Sequence, residues 1–224
     1  MNVALAEAPS LADVLEELGG VSPNRIRARP PLGTATEQDV IAIHDRENRL
    51  FELVDGILVE KVMRYYEGRS AAVLIFFIET FLTDHNLGIT AGADGMMRLS
   101  SGLVRIPDVS FVSWDRLPRR RVPREPIPQL APNLAVEVLS EANTRAEMDR
   151  KLREYFAAGT ELVWYMDPDT RSAQVWNTLE HSVVVDEQGT LDGGTVLPGF
   201  QLPLRQFFAR VDAGLQQRTT PPQC

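Results

Sequence analysis

The run "NLAVEVLS", Asn133 to Ser140, is the most strand-like stretch of the chain, and it carries an acid in its middle. Leu134, Ala135, Val136 and Val138 are the residue types that fill a sheet buried on both faces. Glu137 breaks that pattern. An unpartnered carboxylate in such a strand costs several kcal/mol, so the fold has to supply something that compensates it. Alternation along a strand lets Glu137 project from one face while Val136 and Val138 face the other way. A second run, "RIPDVSFV" from Arg105 to Val112, poses the same problem. It reads as a strand, yet Pro107 cannot donate to a ladder and Asp108 is disfavoured there. Pro107 marks a bend or an edge, and the bend aims Asp108.

The rest of the chain alternates helices with strands. Ser10 caps a short helix through about Leu18, ended by Gly19-Gly20. "VSPNRIRARPPLG" reads as a linker, and Thr34 or Thr36 starts a second helix through about His44. Residues 49–62 read as two strands turned at Asp55-Gly56, a strong hairpin signal. Ala71, Leu74, Ile75, Ile78, Phe81 and Leu82 recur at helical spacing, predicting a long helix from about Glu67 to Leu82. Two or three strands fill the stretch up to Val112. A proline-rich loop spans 114–132. After the Glu137 strand, a helix from about Thr144 to Ala158 ends at Gly159. Three more strands and a short helix close the domain. This order predicts a mixed α/β fold, a curved mixed sheet flanked by helices with additional antiparallel strands. Residues 1–35 are expected as an N-terminal helix and linker extension, 36–210 as the domain, and 211–224 as a flexible tail.

Charge and composition exclude several functions. The net charge of −8 excludes sequence-independent binding of nucleic acid by the protein as a whole, so such a role needs a local basic patch and bound cations. The one cysteine, Cys224, excludes an intramolecular disulfide and a cysteine-based metal site, and fits a cytoplasmic location. The N-terminal residues do not read as a signal peptide. The longest apolar run, "SAAVLIFFIETFL", is interrupted by Glu79, too early for a membrane span.

Asp108, Glu137, Lys151 and Glu67 are polar where structure alone does not ask for them. Carboxylate oxygens are what a hard Mg²⁺ ion prefers, and a nearby lysine stabilises developing negative charge. "IPDVSFV", "NLAVEVLS" and Lys151 within "EMDRKLREYFAAGTELVWYMDP" together resemble the Uma-type family of restriction-endonuclease-like proteins, in the P-D-(D/E)-x-K nuclease superfamily. "FELVDGILVEK" and "LPGFQLPLRQFF" are also similar to it, and the resemblance covers roughly residues 36–210. It implies a restriction-endonuclease-like fold and Mg²⁺- or Mn²⁺-dependent hydrolysis of DNA, with homodimers common in the superfamily. Pro107-Asp108 matches the P-D element and Glu137 the second acid. The lysine two residues on is Leu139 here, a departure that the resemblance resolves by moving the lysine to Lys151. Glu67 matches a helix acid that completes such sites, giving Asp108, Glu137 and Glu67 as metal ligands. The alternative function is a non-catalytic nucleic-acid-binding or assembly module that retains the fold.

Each candidate has an ordinary reading as well. Lys151 lies four residues after Glu147, the spacing of a helix ion pair. Asp108 fits a turn, Glu137 a pairing with arginine, and Glu67 the positive end of a helix dipole. Glu52, Glu60 and Asp149 are expected to be structural or solvated. Arg119, Arg120 and Arg121, between the two acid strands, are candidate phosphate contacts or a solvated loop. Asp108→Ala is expected to hold or raise stability without metal, by relieving repulsion between the acids.

Overall fold

The structure is a computed structural model that describes residues 10–213. The expected tail beyond 213 and the first nine residues lie outside the described residues. In chain order the elements are α1 (Leu11–Glu17), β1 (Ile26–Arg27), α2 (Glu37–Glu47), β2 (Phe51–Val54), β3 (Ile57–Glu60), α3 (Tyr65–Asp84), β4 (Gly88–Ala91), β5 (Met97–Ser100), β6 (Leu103–Arg105), β7 (Val109–Ser113), β8 (Leu134–Val138), α4 (Arg145–Ala157), β9 (Leu162–Asp167), β10 (Ser172–Trp176), β11 (Ser182–Val185), β12 (Thr190–Asp192), β13 (Gln201–Pro203) and α5 (Leu204–Ala213).

Two sheets divide the strands. One runs β1-β3-β2-β6-β5, the other β11-β10-β9-β8-β7-β4, and β12-β13 form a separate hairpin. The second sheet is mixed, because β8 and β9 pair in parallel while its other pairs are antiparallel. The α4 crossover between β8 and β9 supplies that parallel connection. The β2-β3 turn is as expected: Asp55 and Gly56 both adopt positive φ, as a two-residue hairpin turn requires. Where two or three strands were expected before Val112, there are four, in two different sheets.

"RIPDVSFV" accounts for that difference. It is not one strand. β6 ends at Arg105 in the five-stranded sheet, and β7 begins at Val109 in the six-stranded sheet. Ile106, Pro107 and Asp108 carry the chain across, and Asp108 N–H bonds to the carbonyl of Val136 at 2.9 Å. The proline sits at the one step that belongs to no ladder.

Helices α3 and α5 cover one face of the six-stranded sheet, burying Leu74, Ile78, Val136, Val138, Trp164 and Phe207. Helix α4 covers the opposite face through Met148, Leu152 and Tyr155, against Ala135, Val163 and Tyr165. The five-stranded sheet packs Phe51, Leu53 and Val104 under α2, and Val54, Ile57 and Val59 under α1. The N-terminal segment is therefore docked on the sheet, and β1 extends that sheet by pairing with β3. Gly19 makes the docking close: a Cβ there would lie 2.4 Å from the Glu147 nitrogen at the start of α4. No helix among the described residues is long and apolar enough to cross a membrane.

Candidate active site

Helix α4 is wedged in the angle between the two sheets. Its apolar stripe meets the six-stranded sheet. Towards the five-stranded sheet it presents ions: Glu147 to Arg25, Arg150 to Asp55, Lys151 to Glu52 and Glu154 to Arg105. The four spacings of three or four residues place these groups along one side of the helix. Glu147, Met148, Lys151, Leu152 and Tyr155 are all buried.

Asp108 stands where the two sheets meet. Its Oδ2 accepts a 2.6 Å bond from the Val138 N–H, and its Oδ1 lies 2.7 Å from Lys61 Nζ. Lys61 Nζ also donates to the Ile106 carbonyl. Glu137 projects towards α4, as alternation requires, with Val136 and Val138 packed on the other face. Its Oε1 accepts from Lys151 Nζ at 3.1 Å and from the Tyr155 hydroxyl at 2.6 Å. Lys151 Nζ reaches Glu52 at 3.2 Å as well. Glu52 binds Arg105 at 2.6 Å, and its other oxygen accepts from the Ile106 N–H at 3.2 Å. Arg105 continues to Glu154 at 2.5 Å.

Lys151 is thus no helix ion-pair partner of Glu147, which binds Arg25 at 2.9 Å instead. The ammonium meets Glu137 from the neighbouring helix rather than from position 139. Glu67, in the first turn of α3, lines the same small cavity as Asp108, Glu137, Lys61 and Lys151. Its Oε2 is buried without a hydrogen-bond partner. The cavity holds about 30 Å³, space for one water or a bare cation.

Arg119, Arg120 and Arg121 are not brought to this cavity. They follow the far end of β7, about 17 Å of strand away from Asp108. All three are exposed, and Arg120 faces Asp115 at 3.5 Å. Glu60 and Asp149 pair with Arg49 and Arg145 at the surface, as expected.

Three members of the cluster were not picked out from the sequence. Glu52 is 1% exposed, which excludes the solvated half of the expectation that it is structural or solvated. It stands in "FELV" between apolar neighbours, the same signal that exposed Glu137 in "LAVEVLS". Lys61 and Arg105 stand at strand ends, where basic residues are common, and no sequence signal separates them from solvated ones.

Burial and charge act differently on each acid. Burial pushes the Glu137 carboxyl above its ordinary range, against the pull of Lys151 and Lys61. Burial would raise Glu52 too, but Lys151, Arg105 and Lys61 together hold it well below the usual carboxylate range. Lys151 would be lowered by burial, yet Glu137 and Glu52 raise it, so it remains an ammonium at neutral pH. Three buried acids, Glu52, Asp108 and Glu137, face three cations whose side chains are buried, Lys61, Arg105 and Lys151, and Arg105 also meets Glu154.

The oxygen donors suit a hard divalent ion. Among the described residues no three carboxylate, histidine or cysteine side chains cluster tightly enough to hold a metal unaided. Mg²⁺ ordinarily takes one or two carboxylates and completes its shell with water and substrate phosphate. Asp108 and Glu137 are two carboxylates on one cavity, and the unpartnered Glu67 oxygen is a third donor there.

A family model named Uma2 and described as "Putative restriction endonuclease" matches residues 37–205. No curated protein matches the chain. Among solved structures, one described as "a putative nuclease belonging to DUF820 from Anabaena variabilis" superposes with a TM-score of 0.64 at 17% identity, covering 72% of this chain and 91% of that one. That likeness establishes a shared fold.

Proposed function

The chain belongs to the Uma2 family of restriction-endonuclease-like proteins, and from that membership we propose that it is a metal-dependent endonuclease hydrolysing DNA phosphodiester bonds. One observation carries the reading. Two carboxylates from neighbouring parts of the sheet junction and an ammonium from the next helix line a single cavity. Asp108 and Glu137 would hold Mg²⁺ or Mn²⁺, with Glu67 as a third oxygen donor. Such an ion supplies a polarised phosphoryl oxygen and a more acidic water.

The chain's own residues do the rest. Lys151 carries a proton that burial does not remove, so its role is electrostatic: it stabilises charge that grows on the phosphoryl oxygens and orients the attacking water. Tyr155 and Lys151 together fix Glu137 in one rotamer through Oε1. The Val138 N–H fixes Asp108 in the same way. Lys61 occupies Asp108 Oδ1, so sharing that oxygen with a cation requires the ammonium to give way. Glu52, Asp108 and Glu137 each already have a cation beside them. A divalent ion is therefore best accommodated together with a phosphate, which offsets its charge.

The same pairing favours a second reading, a non-catalytic nucleic-acid-binding module whose lysines have taken the place of the metal. Cleavage of single- and double-stranded DNA, with RNA as comparison, in Mg²⁺, Mn²⁺ or EDTA separates the two. We expect cutting that requires the metal and is lost in Asp108→Asn. Cutting that survives EDTA or that substitution overturns the site assignment. Metal binding with no turnover on any substrate selects the second reading. Cutting both strands of a duplex at one place calls for two copies, which sedimentation on duplex DNA would detect.

A further inference from the structure

The arginine loop does not line the cavity, so the residues beside its lining are the nearer candidates for a grip on the substrate strand. Residues 61–64 join β3 to the first turn of α3, and Lys61 and Glu67, on either side of Arg64 and Tyr65, line the cavity. Arg64 and Tyr65 do not line it themselves and stand between residues that do. Val62 and Met63 line the cavity as well, and Val62 is 53% exposed. Tyr65 is 91% exposed, the most exposed large hydrophobic side chain among the described residues. Its neighbours are tied down: the Tyr66 hydroxyl bonds to Asp212 at 2.6 Å, and Arg69 donates to the Arg210 carbonyl at 2.9 Å. The Tyr65 ring is thus presented on an anchored helical turn.

Arg64 faces Glu141 at 3.6 Å across the mouth, and both side chains are mostly exposed. Such a pair is weak and screened, so a phosphate diester can take Arg64 from it. The flank beyond Glu141 is mainly acidic: Asp149, Asp167 and Asp169 line the adjoining groove, where Arg145, close to Asp149, is the one cation of the lining. The flank formed by Val62, Arg64 and Tyr65 carries an arginine, an aromatic ring and an aliphatic side chain. A ring that stacks on bases beside a cation that meets phosphates is the arrangement that holds unpaired nucleic acid.

We propose that Tyr65 and Arg64 grip an unpaired stretch of the substrate strand at the mouth of the cavity, Tyr65 stacking on a base and Arg64 binding the adjoining phosphate. The proposal rests on the nuclease reading and adds that the preferred substrate has an unpaired base beside the scissile phosphate. Stacking uses the ring face and not the hydroxyl. Tyr65→Phe should therefore bind like the unchanged protein, while Tyr65→Ala should bind a single-stranded oligonucleotide roughly 5- to 100-fold more weakly. Arg64→Gln should lower the slope of log affinity against log salt by about 0.7, one phosphate's share on a single strand.

The test is fluorescence-anisotropy titration in EDTA of a single-stranded oligonucleotide, of the same strand with abasic sites, and of the duplex, with circular dichroism confirming the folded state of each variant. Loss of the difference between Tyr65→Ala and the unchanged protein on the abasic strand is the expected signature of stacking. Equal affinities for the base-containing strand overturn the rim while leaving the nuclease reading intact. If the unchanged protein binds neither strand nor duplex and cuts neither with Mn²⁺, the nuclease reading itself fails and the rim with it.

Discussion

Glu60 and Lys61 are consecutive residues at the end of β3, and they enter opposite kinds of charge cluster. Glu60 turns outwards to Arg49 at 2.6 Å, and Arg49 shares Glu47 with Arg27. Lys61 turns inwards to Asp108 at 2.7 Å, beside Glu137, Lys151, Glu52 and Arg105. The separations are alike. The surroundings are not: the Arg49 and Glu60 side chains are 46% and 22% exposed, those of Lys61 and Asp108 7% and 9%. Water screens the outer cluster and takes up any ion left without a partner. The inner cluster has lost its hydration, which attraction between the ions only partly repays. Apolar side chains filling that space would serve stability at least as well, which makes the inner cluster a candidate for chemistry.

Single truncations should expose this contrast most strongly. Glu52→Ala leaves Arg105 and Lys151 short of a counter-charge in a site from which water is excluded, and should cost about 3–5 kcal/mol. Asp108→Ala should cost a similar amount, because it strands Lys61 and the Val138 N–H. This runs opposite to the sequence-based expectation that removing Asp108 relieves repulsion: Asp108 does repel Glu137, but removing it also strands the cation that faces it. Urea denaturation measures both. Midpoints unchanged from the native protein would show that the inner ions are hydrated and that the contrast with Glu60 is false.

Lys151→Met comes next. The thioether retains the stem's packing and removes the charge. Glu52 keeps Arg105, and Glu137 keeps the Tyr155 hydroxyl and can take up a proton. Stability should therefore fall less than in Glu52→Ala, while the single-turnover cleavage rate at saturating Mg²⁺ should fall by about 10²- to 10³-fold, as when a preorganised donor is lost. Equal rates would make Lys151 a structural counter-ion only.

How far the sequence went can be read from these same residues. Asp108 and Glu137 were legible because an acid inside an apolar run conflicts with burial. Lys151 was legible only through the family resemblance, since a lysine four residues after a glutamate has an ordinary explanation. The structure removes that explanation by giving Glu147 to Arg25, a partner 122 residues away in sequence. Helix and hairpin limits emerged closely because capping residues and Asp55-Gly56 act locally. The division into two sheets did not, because the switch at Ile106–Asp108 depends on which distant strand each half pairs with.

Titration should separate two acids within the inner cluster. Glu52 is held below its ordinary value of 4.5, so its stabilisation is complete above that pH and is lost as pH falls below it. Glu137 is held above 4.5, so its contribution is most favourable below that value and declines as pH rises through its raised value. Cation binding needs the Glu137 carboxylate, so at subsaturating Mg²⁺ the cleavage rate should fall on acidification with a midpoint that Glu137 sets. Lys151→Met, by removing an opposing cation, should move that midpoint to higher pH. A midpoint that stays put would show that another group sets the acid limb.

The smallest effect belongs to the outer cluster, and it is the control on which the contrast depends. Glu60→Gln keeps the shape of the side chain and removes its charge. Arg49 then still has Glu47 within 3.6 Å and the Phe51 ring 5.1 Å beneath it. No ion is stranded, because the guanidinium is already in contact with water. The melting temperature should move by no more than about 2 °C at low salt, and the shift should vanish at about 0.5 M salt, where screening acts within a few ångströms. The neighbouring Lys61→Met should move it several times further, with little dependence on salt, since the Asp108 carboxylate it abandons lies beyond the reach of mobile ions. If both substitutions respond to salt alike, Lys61 is solvated in solution and the boundary between the two clusters does not fall between residues 60 and 61.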